Sequence, residues 1–232
     1  MTRHVPDFAH VDAWIFDLDN TLYHPDARLF AQIEIRMTAY VMRELGVSEA
    51  EASHLRDAYW REHGTTLAGL MAEHGIDPAP YLAEVHDIDM SGLTPDPALA
   101  AAIAALPGRK IVHTNADAAY AGQVLDRRAL PVFEAVYGVE EVDFHPKPDP
   151  RAYQAVLASR GIDPTRAAFF EDDPRNLIEP DRLGMVTVLV GAGRDGPDEL
   201  PADHVHGAHV HHRTDDLTAF LLALAAIRDG MA

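Results

Sequence analysis

In the run D-L-D-N-T, Asp17, Asp19 and Thr21 occupy alternate positions, and in extended backbone alternate side chains share one face. Two carboxylates and a hydroxyl would then meet in one pocket. Carboxylates that close repel unless a proton or a cation sits between them. A bound Mg²⁺ would resolve the repulsion, because it takes a few carboxylates together with waters and phosphate oxygens. A second acidic cluster, Glu171, Asp172 and Asp173, has the same need. Between the two clusters come Thr114 and Asn115, short polar groups beside N–H donors suited to phosphate oxygens, and Lys147 in H-P-K-P-D-P.

Three of these groups end segments that read as strands, and Lys147 follows a further one, which matters because ligands of an open parallel sheet sit beyond the carboxyl ends of its strands. From Val11, V-D-A-W-I-F-D-L-D is a buried-strand run, and K-I-V-H-T (110–114), A-V-Y-G-V-E-E-V (135–142), A-A-F-F-E-D (167–172) and V-T-V-L-V (186–190) follow it. Asp96-Pro97 is an N-cap followed by proline at the first helical position, and Gly108 closes that helix. Residues 118–128 form the next helix, Asp149-Pro150 starts another through Leu157, and Asp163-Pro164 precedes the strand of Phe169 and Phe170. Strands alternating with helices predict an α/β fold, a Rossmann-like doubly wound parallel sheet covered on both faces.

One region breaks the alternation. Ile33, Met37, Tyr40, Val41 and Leu45 recur at helical spacing, a second helical stretch runs from Leu55 to Trp60, and no strand interrupts them. The expected organisation is therefore an inserted helical cap domain at 25–91, with residues 1–24 and 92–232 forming the core.

The whole chain has 232 residues and 25.4 kDa, enough for one α/β domain with an insertion, since a domain takes roughly 100–200 residues. Its 47% hydrophobic and 24% charged residues place it among folded globular proteins. Nineteen Lys and Arg against 37 Asp and Glu leave a net charge of −18, a field that repels nucleic acid polymers and anionic membranes. No cysteine is present, which removes disulfides, thiolate nucleophiles and Cys-ligated zinc, and suits a reducing compartment. The N-terminus has no apolar signal region, and the alanine-rich stretch 97–108 falls short of the roughly 20 residues of a membrane span. A cytoplasmic protein, monomer or homodimer, is expected.

Acid–acid–hydroxyl, hydroxyl–amide, lysine and acid–acid in that order resemble the haloacid dehalogenase (HAD) superfamily of aspartate-nucleophile hydrolases, from about Val11 to Ile227. The resemblance implies that Asp17 attacks phosphorus to form an aspartyl-phosphate. Asp19 would protonate the leaving oxygen and then deprotonate the hydrolytic water. Mg²⁺ would be held by the carboxylates of Asp17 and Asp172 and the main-chain carbonyl of Asp19, with Asp173 and Glu171 as competing ligands. Thr114, Asn115 and Lys147 would stabilise the oxygens of the transferring group. Superfamily members that cleave carbon–halogen bonds typically lack an acid two residues after the nucleophile and need no metal, so Asp19 favours a phosphatase.

A finer resemblance, through D-L-D-N-T-L-Y-H-P, Y-W-R-E-H-G-T-T-L-A-G-L, V-H-D-I-D, T-N-A-D, H-P-K-P-D-P and F-F-E-D-D-P-R-N-L, is to bacterial pyrimidine 5′-nucleotidase-like proteins. It implies a small phosphorylated substrate, a nucleotide such as UMP or CMP. The alternatives are nicotinamide mononucleotide, a sugar phosphate, phosphoglycolate, or a non-catalytic ligand-binding protein on the same fold. Tyr23 and His24 would sort substrates or form a hinge. His63 and Thr65, beside Gly64, would form a substrate lip or merely end one helix and begin the next, while Trp60 reads as core. The histidine-rich H-V-H-G-A-H-V-H-H (204–212) reads as a half-buried edge strand rather than a metal site, with Thr214 capping a final amphipathic helix.

Overall fold

Ala13–Phe16 (β1) is buried along its whole length, the condition of a strand covered on both faces of a parallel sheet. In the computed structural model, which describes residues 7–191 and 207–230, β1 sits between two groups of strands. Arg109–His113 (β2) and Ala135–Tyr137 (β3) lie on one side; Ala167–Glu171 (β4), Val186–Val190 (β5) and His212–Thr214 (β6) lie on the other. Every pairing is parallel, and the order is β3-β2-β1-β4-β5-β6. The winding therefore reverses at β1, the point where open sheets of this kind bind ligands. Phe16 is level with both Val112 and Phe170, so Asp17, His113 and Glu171 leave the sheet side by side.

Strand alternation divides the core in two. Trp14, Phe16, Ala168, Phe170, Val186 and Val188 join one apolar cluster, and Ala13, Ile15, Ala167, Phe169 and Leu189 join the other. Pro97–Ala104 (α5), Ala118–Arg128 (α6) and Leu217–Gly230 (α9) bring residues to the first, whereas Pro150–Arg160 (α7) and Ile178–Leu183 (α8) serve the second. Asp96 and Asp149 cap their helices just ahead of a proline, each carboxylate accepting a first-turn N–H.

The region between β1 and α5 holds four helices: Leu29–Leu45 (α1), Glu49–His63 (α2), Thr66–His74 (α3) and Pro78–Val85 (α4). The periodicity shows only the first two. Gly75, in the left-handed conformation at φ 64°, ends α3, and Asp77-Pro78 opens α4, so two short helices stand where no long apolar period can build up. The two connections into this region meet at Gly92, where a Cβ would come within 3.0 Å of the Ala27 carbonyl. Arg128 ties them together, donating from Nε to Leu22 O (3.1 Å), from Nη1 to Thr94 O (2.7 Å) and from Nη2 to Asp96 (2.7 Å).

At the C-terminal edge the strand is only three residues long, and Asp216 rather than Thr214 caps the helix. Asp216 Oδ1 accepts from Ala219 N, while the Thr214 hydroxyl accepts from Asp216 N. His211 accepts from Thr187 N at 3.1 Å and lies 2.9 Å from Asp181, so it packs β5 against α8. His204, His206 and the glycine-rich stretch after Gly191 lie outside the described residues. No helix among the described residues is long and apolar enough to cross a membrane.

Replacing Arg128 with alanine strands two linker carbonyls and one carboxylate. The expected cost is about 2–3 kcal/mol, a melting temperature lower by about 4–12 °C for a chain of this size. Thermal unfolding of the variant measures it, and a shift within 1 °C would show that the linkers are held by packing alone.

Candidate active site

Asp17, Glu171 and Asp172 bring carboxylate oxygens within 4.8 Å of one another at the carboxyl ends of β1 and β4. Asp17 and Glu171 are only 5% and 1% exposed. Burial raises the affinity of Glu171 for its proton, and the Asp17 charge adds to that. Asp172 is pushed well above the usual carboxylate range by burial, then by Glu171 and Asp17. Asn20, in the left-handed conformation that asparagine tolerates, donates to Asp172 at 3.3 Å across the turn after β1.

One cation partly relieves this crowding. Lys147 is 1% exposed and its ammonium donates to Asp17 Oδ1 (2.7 Å), Glu171 Oε2 (2.6 Å) and His113 O (3.0 Å). Burial alone would weaken its hold on the proton, but the Asp17 and Glu171 charges reverse the effect and keep it above the ordinary lysine range. Asn115 acts on the same loop: its Oδ1 accepts from Lys147 N at 2.8 Å and its Nδ2 donates to Lys147 O at 3.1 Å. The amide expected to face phosphate thus also holds the lysine loop. Thr114 is buried at the end of β2, and its hydroxyl accepts from Ala116 N. Thr21 is buried as well, and its hydroxyl has no hydrogen-bond partner among the described residues.

The donor chemistry fits a hard divalent ion. Three clustered carboxylates meet a single ammonium, their crowding favours uptake of a proton or a cation, and oxygen is the ligand such ions prefer. Glu171 has both oxygens engaged, one by Lys147 and the other by Asp173 N at 3.2 Å. Asp17 Oδ2 and Asp172 are then the carboxylate atoms left to hold the ion. Asp173 stands outside the cluster, paired with Arg175 at 2.7 Å.

Asp19 is apart from these acids. Its Oδ1 accepts from the hydroxyls of Tyr23 (2.5 Å) and Tyr120 (2.9 Å). Burial raises its pKa and the Asp17 charge raises it further, against the lowering effect of the two phenols. Tyr120 lies face to face with His86, ring centroids 4.3 Å apart, and His86 Nδ1 is 2.5 Å from Asp117 Oδ2. Burial opposes ionisation of Asp117, but the bonds from His86 and Tyr120 N hold it below the usual carboxylate range.

A cleft of about 1080 Å³ opens above Asp19, Asn115 and Asp172 and is roofed by α1, α2, α3 and α4. Tyr23, His24, Thr65 and Trp60 line it, and His63 does not. Tyr23 is buried with its hydroxyl on Asp19, and Thr65 caps α3 through its side chain. His63 lies 3.5 Å from Glu73. Trp60, expected in the core, is half-buried, with the Arg175 guanidinium over its ring 3.3 Å from the centroid and donating to Trp60 O. Gly64, at φ 89°, lets the α2–α3 turn approach Lys147 O, where a Cβ would stand at 3.2 Å.

Tyr120, His86, Asp117 and Arg175 were not singled out from the sequence as parts of this site. Asp117 had a signal, since it follows T-N-A at the start of a helix. His86 lay in the quoted V-H-D-I-D, which assigned it no role, and Tyr120 had no signal; that the two meet was not legible, because residues 34 positions apart are joined only by the fold.

The profile of the haloacid dehalogenase-like hydrolases matches residues 11–178. Phosphate metabolism protein 8 of Saccharomyces cerevisiae is 24% identical over 195 residues, 76% of this chain and 60% of that protein, so the chain spans under two thirds of this relative. A haloacid dehalogenase-like family hydrolase of Streptococcus pneumoniae aligns in structure with a TM-score of 0.61 and 17% identity, covering 92% of this chain and 98% of that one. L-2-haloacid dehalogenase of Xanthobacter autotrophicus gives a TM-score of 0.56 at 17% identity, covering 96% and 100%. Identities this low establish a shared fold and leave the chemistry to the side chains.

His113, which carries one of the lysine's acceptors, is itself buried between Tyr153 and Phe169. Burial, then the Lys147 charge, drive its pKa well below the ordinary 6.5. The folded state therefore keeps the ring neutral while the unfolded chain takes up a proton below pH ~6.5. Stability is complete above that value and falls with pH below it, by up to about 1.4 kcal/mol per pH unit. Denaturant unfolding between pH 7 and 5 should show this slope in the wild type and a smaller one in His113→Gln; identical slopes would assign the acid sensitivity to other groups.

Proposed function

Because the chain belongs to the haloacid dehalogenase-like hydrolases, we propose that it hydrolyses phosphomonoesters, with a pyrimidine nucleoside 5′-monophosphate, UMP or CMP, as its substrate. The observation that carries this reading is Asp19, a carboxyl group two residues from Asp17 that lines the cleft and is held by the hydroxyls of Tyr23 and Tyr120 on one oxygen. A halide departs as a stable anion and needs no proton. An alkoxide leaving group does, so a carboxyl group held at this position supports ester cleavage over carbon–halogen cleavage.

In the proposed reaction, one carboxylate oxygen of Asp17 attacks phosphorus and the other would stay with the metal ion, while Lys147 holds the carboxylate in place. The ester P–O bond breaks, Asp19 gives its proton to the leaving oxygen, and an aspartyl-phosphate remains on Asp17. A water then attacks that phosphorus as Asp19 takes its proton, releasing phosphate and restoring the Asp17 carboxylate. Mg²⁺, held by Asp17, Asp172 and the Asp19 carbonyl, would neutralise charge on the phosphoryl oxygens. Thr114 and Lys147 are the side chains proposed to complement that charge from the protein side, with Asn115 fixing the lysine loop. The cleft volume leaves room for a nucleoside, and Tyr23, Trp60 and Thr65 are lining residues proposed to shape specificity. His63 is proposed to influence specificity only indirectly, through the end of α2.

Phosphate release is measured with and without Mg²⁺ over UMP, CMP, nicotinamide mononucleotide, phosphoglycolate and sugar phosphates. Mg²⁺-dependent release favouring UMP and CMP is expected, and Asp17→Asn should lower kcat by about 10⁴-fold while leaving the fold intact. Release from another substrate would replace the nucleotide assignment, and an active Asp17→Asn variant would remove Asp17 as nucleophile. Mg²⁺ should also raise the melting temperature of the wild type, and Asp172→Ala should lose that shift.

A further inference from the structure

Two hydroxyls on one oxygen of Asp19 make its carboxyl group asymmetric. Tyr23 and Tyr120 both donate to Oδ1, whereas Oδ2 has no hydrogen-bond partner among the described residues. In a neutral carboxyl group the carbonyl oxygen is the better acceptor, so two donors on Oδ1 select it as the carbonyl and put the proton on Oδ2. The identity of the proton-carrying atom is thus set by the phenols.

Tyr120 owes its own placement to a residue from the helical insertion. Its ring is 1% exposed and is covered by the His86 ring, 18° from parallel, just after α4. Asp117 joins the two: one carboxylate oxygen meets His86 Nδ1, and the other accepts from Tyr120 N at 2.8 Å. Asp117 and Tyr120 belong to the start of α6, beneath the sheet's carboxyl edge, while His86 arrives from the roof of the cleft.

We propose that Tyr120 and His86 are positioning residues for Asp19: Tyr120, together with Tyr23, aims Oδ2 at the leaving oxygen, and His86 makes that aim depend on the insertion being seated on the core. The proposal rests on the phosphomonoesterase reading. It adds that the proton donor is assembled from both parts of the chain, so that a cleft without its roof would retain Asp17 but lose directed proton delivery.

Leaving-group dependence separates this role from a merely structural one, because an alkoxide needs the proton and p-nitrophenolate scarcely does. Tyr120→Phe and His86→Ala are compared with the wild type on p-nitrophenyl phosphate and on whichever alkyl phosphate the wild type hydrolyses fastest. Each variant should lose about tenfold or more in kcat/KM on the alkyl ester and less than about threefold on the aryl ester, because kcat/KM ends with departure of the leaving group and leaves out the water step that both esters share. Tyr23→Phe, which removes the other donor to Oδ1, should show the same split and serves if either variant fails to fold. Equal losses on the two esters, or a change confined to KM, would overturn the positioning role. A wild type that hydrolyses neither ester would overturn the phosphomonoesterase reading, and the positioning role with it.

Discussion

The Lys147 ammonium, buried between Asp17 and Glu171, is the constraint from which the rest of the site follows. A parallel sheet that ends three neighbouring strands at one level must place whatever follows them in close contact, and here β1 and β4 are followed by acids. An isolated buried carboxylate is too costly to keep ionised, and breaking a buried pair by removing one partner costs on the order of 3–5 kcal/mol. The lysine therefore has to be delivered with little freedom. Asn115, at the end of β2, grips its main chain from both sides, and the His113 carbonyl takes the third proton of the ammonium.

Seen this way, Asn115 and Lys147 are one device. The amide sets the loop, the loop sets the ammonium, and the ammonium leaves Asp17 with one oxygen engaged and one available. Because a single positive charge faces three clustered carboxylates, the acids hold protons tightly where no hard cation takes the protons' place. Asp19 escapes that cluster by bonding to phenols, and its protonation follows burial and its neighbours rather than direct contact with the lysine.

The insertion is joined to the core by contacts of different physical kinds. Arg128 binds the linker carbonyls, Arg175 stacks on Trp60, and His86 stacks on Tyr120 while meeting Asp117. The first holds the chain crossings, while the other two lie beside residues that line the cleft. Stacked planar groups and charged pairs depend steeply on geometry, so these contacts register whether the roof is seated more sharply than apolar packing would.

The sequence by itself determined the sheet strands from β1 to β5, the capped helices between them, the acids and hydroxyl at the strand ends and the lysine in the loop before α7. Each of these is written in local signals: a run of apolar residues, an Asp-Pro pair, a period of two or of 3.6. It also indicated helices rather than strands after β1, where four helices stand. The short helix α3 escaped notice because nine residues hold too few turns to display a period, whereas α4 opens on Asp77-Pro78, the same start signal as α5 and α7, and was legible but not read. Tertiary structure alone decided what each polar group does with its hydrogen bonds. It turned Asn115 toward Lys147, set Glu171 against the lysine, brought Arg175 onto Trp60 and laid His86 over Tyr120. Such pairings join residues remote in sequence, and spacing along a chain carries no information about distances that only packing sets.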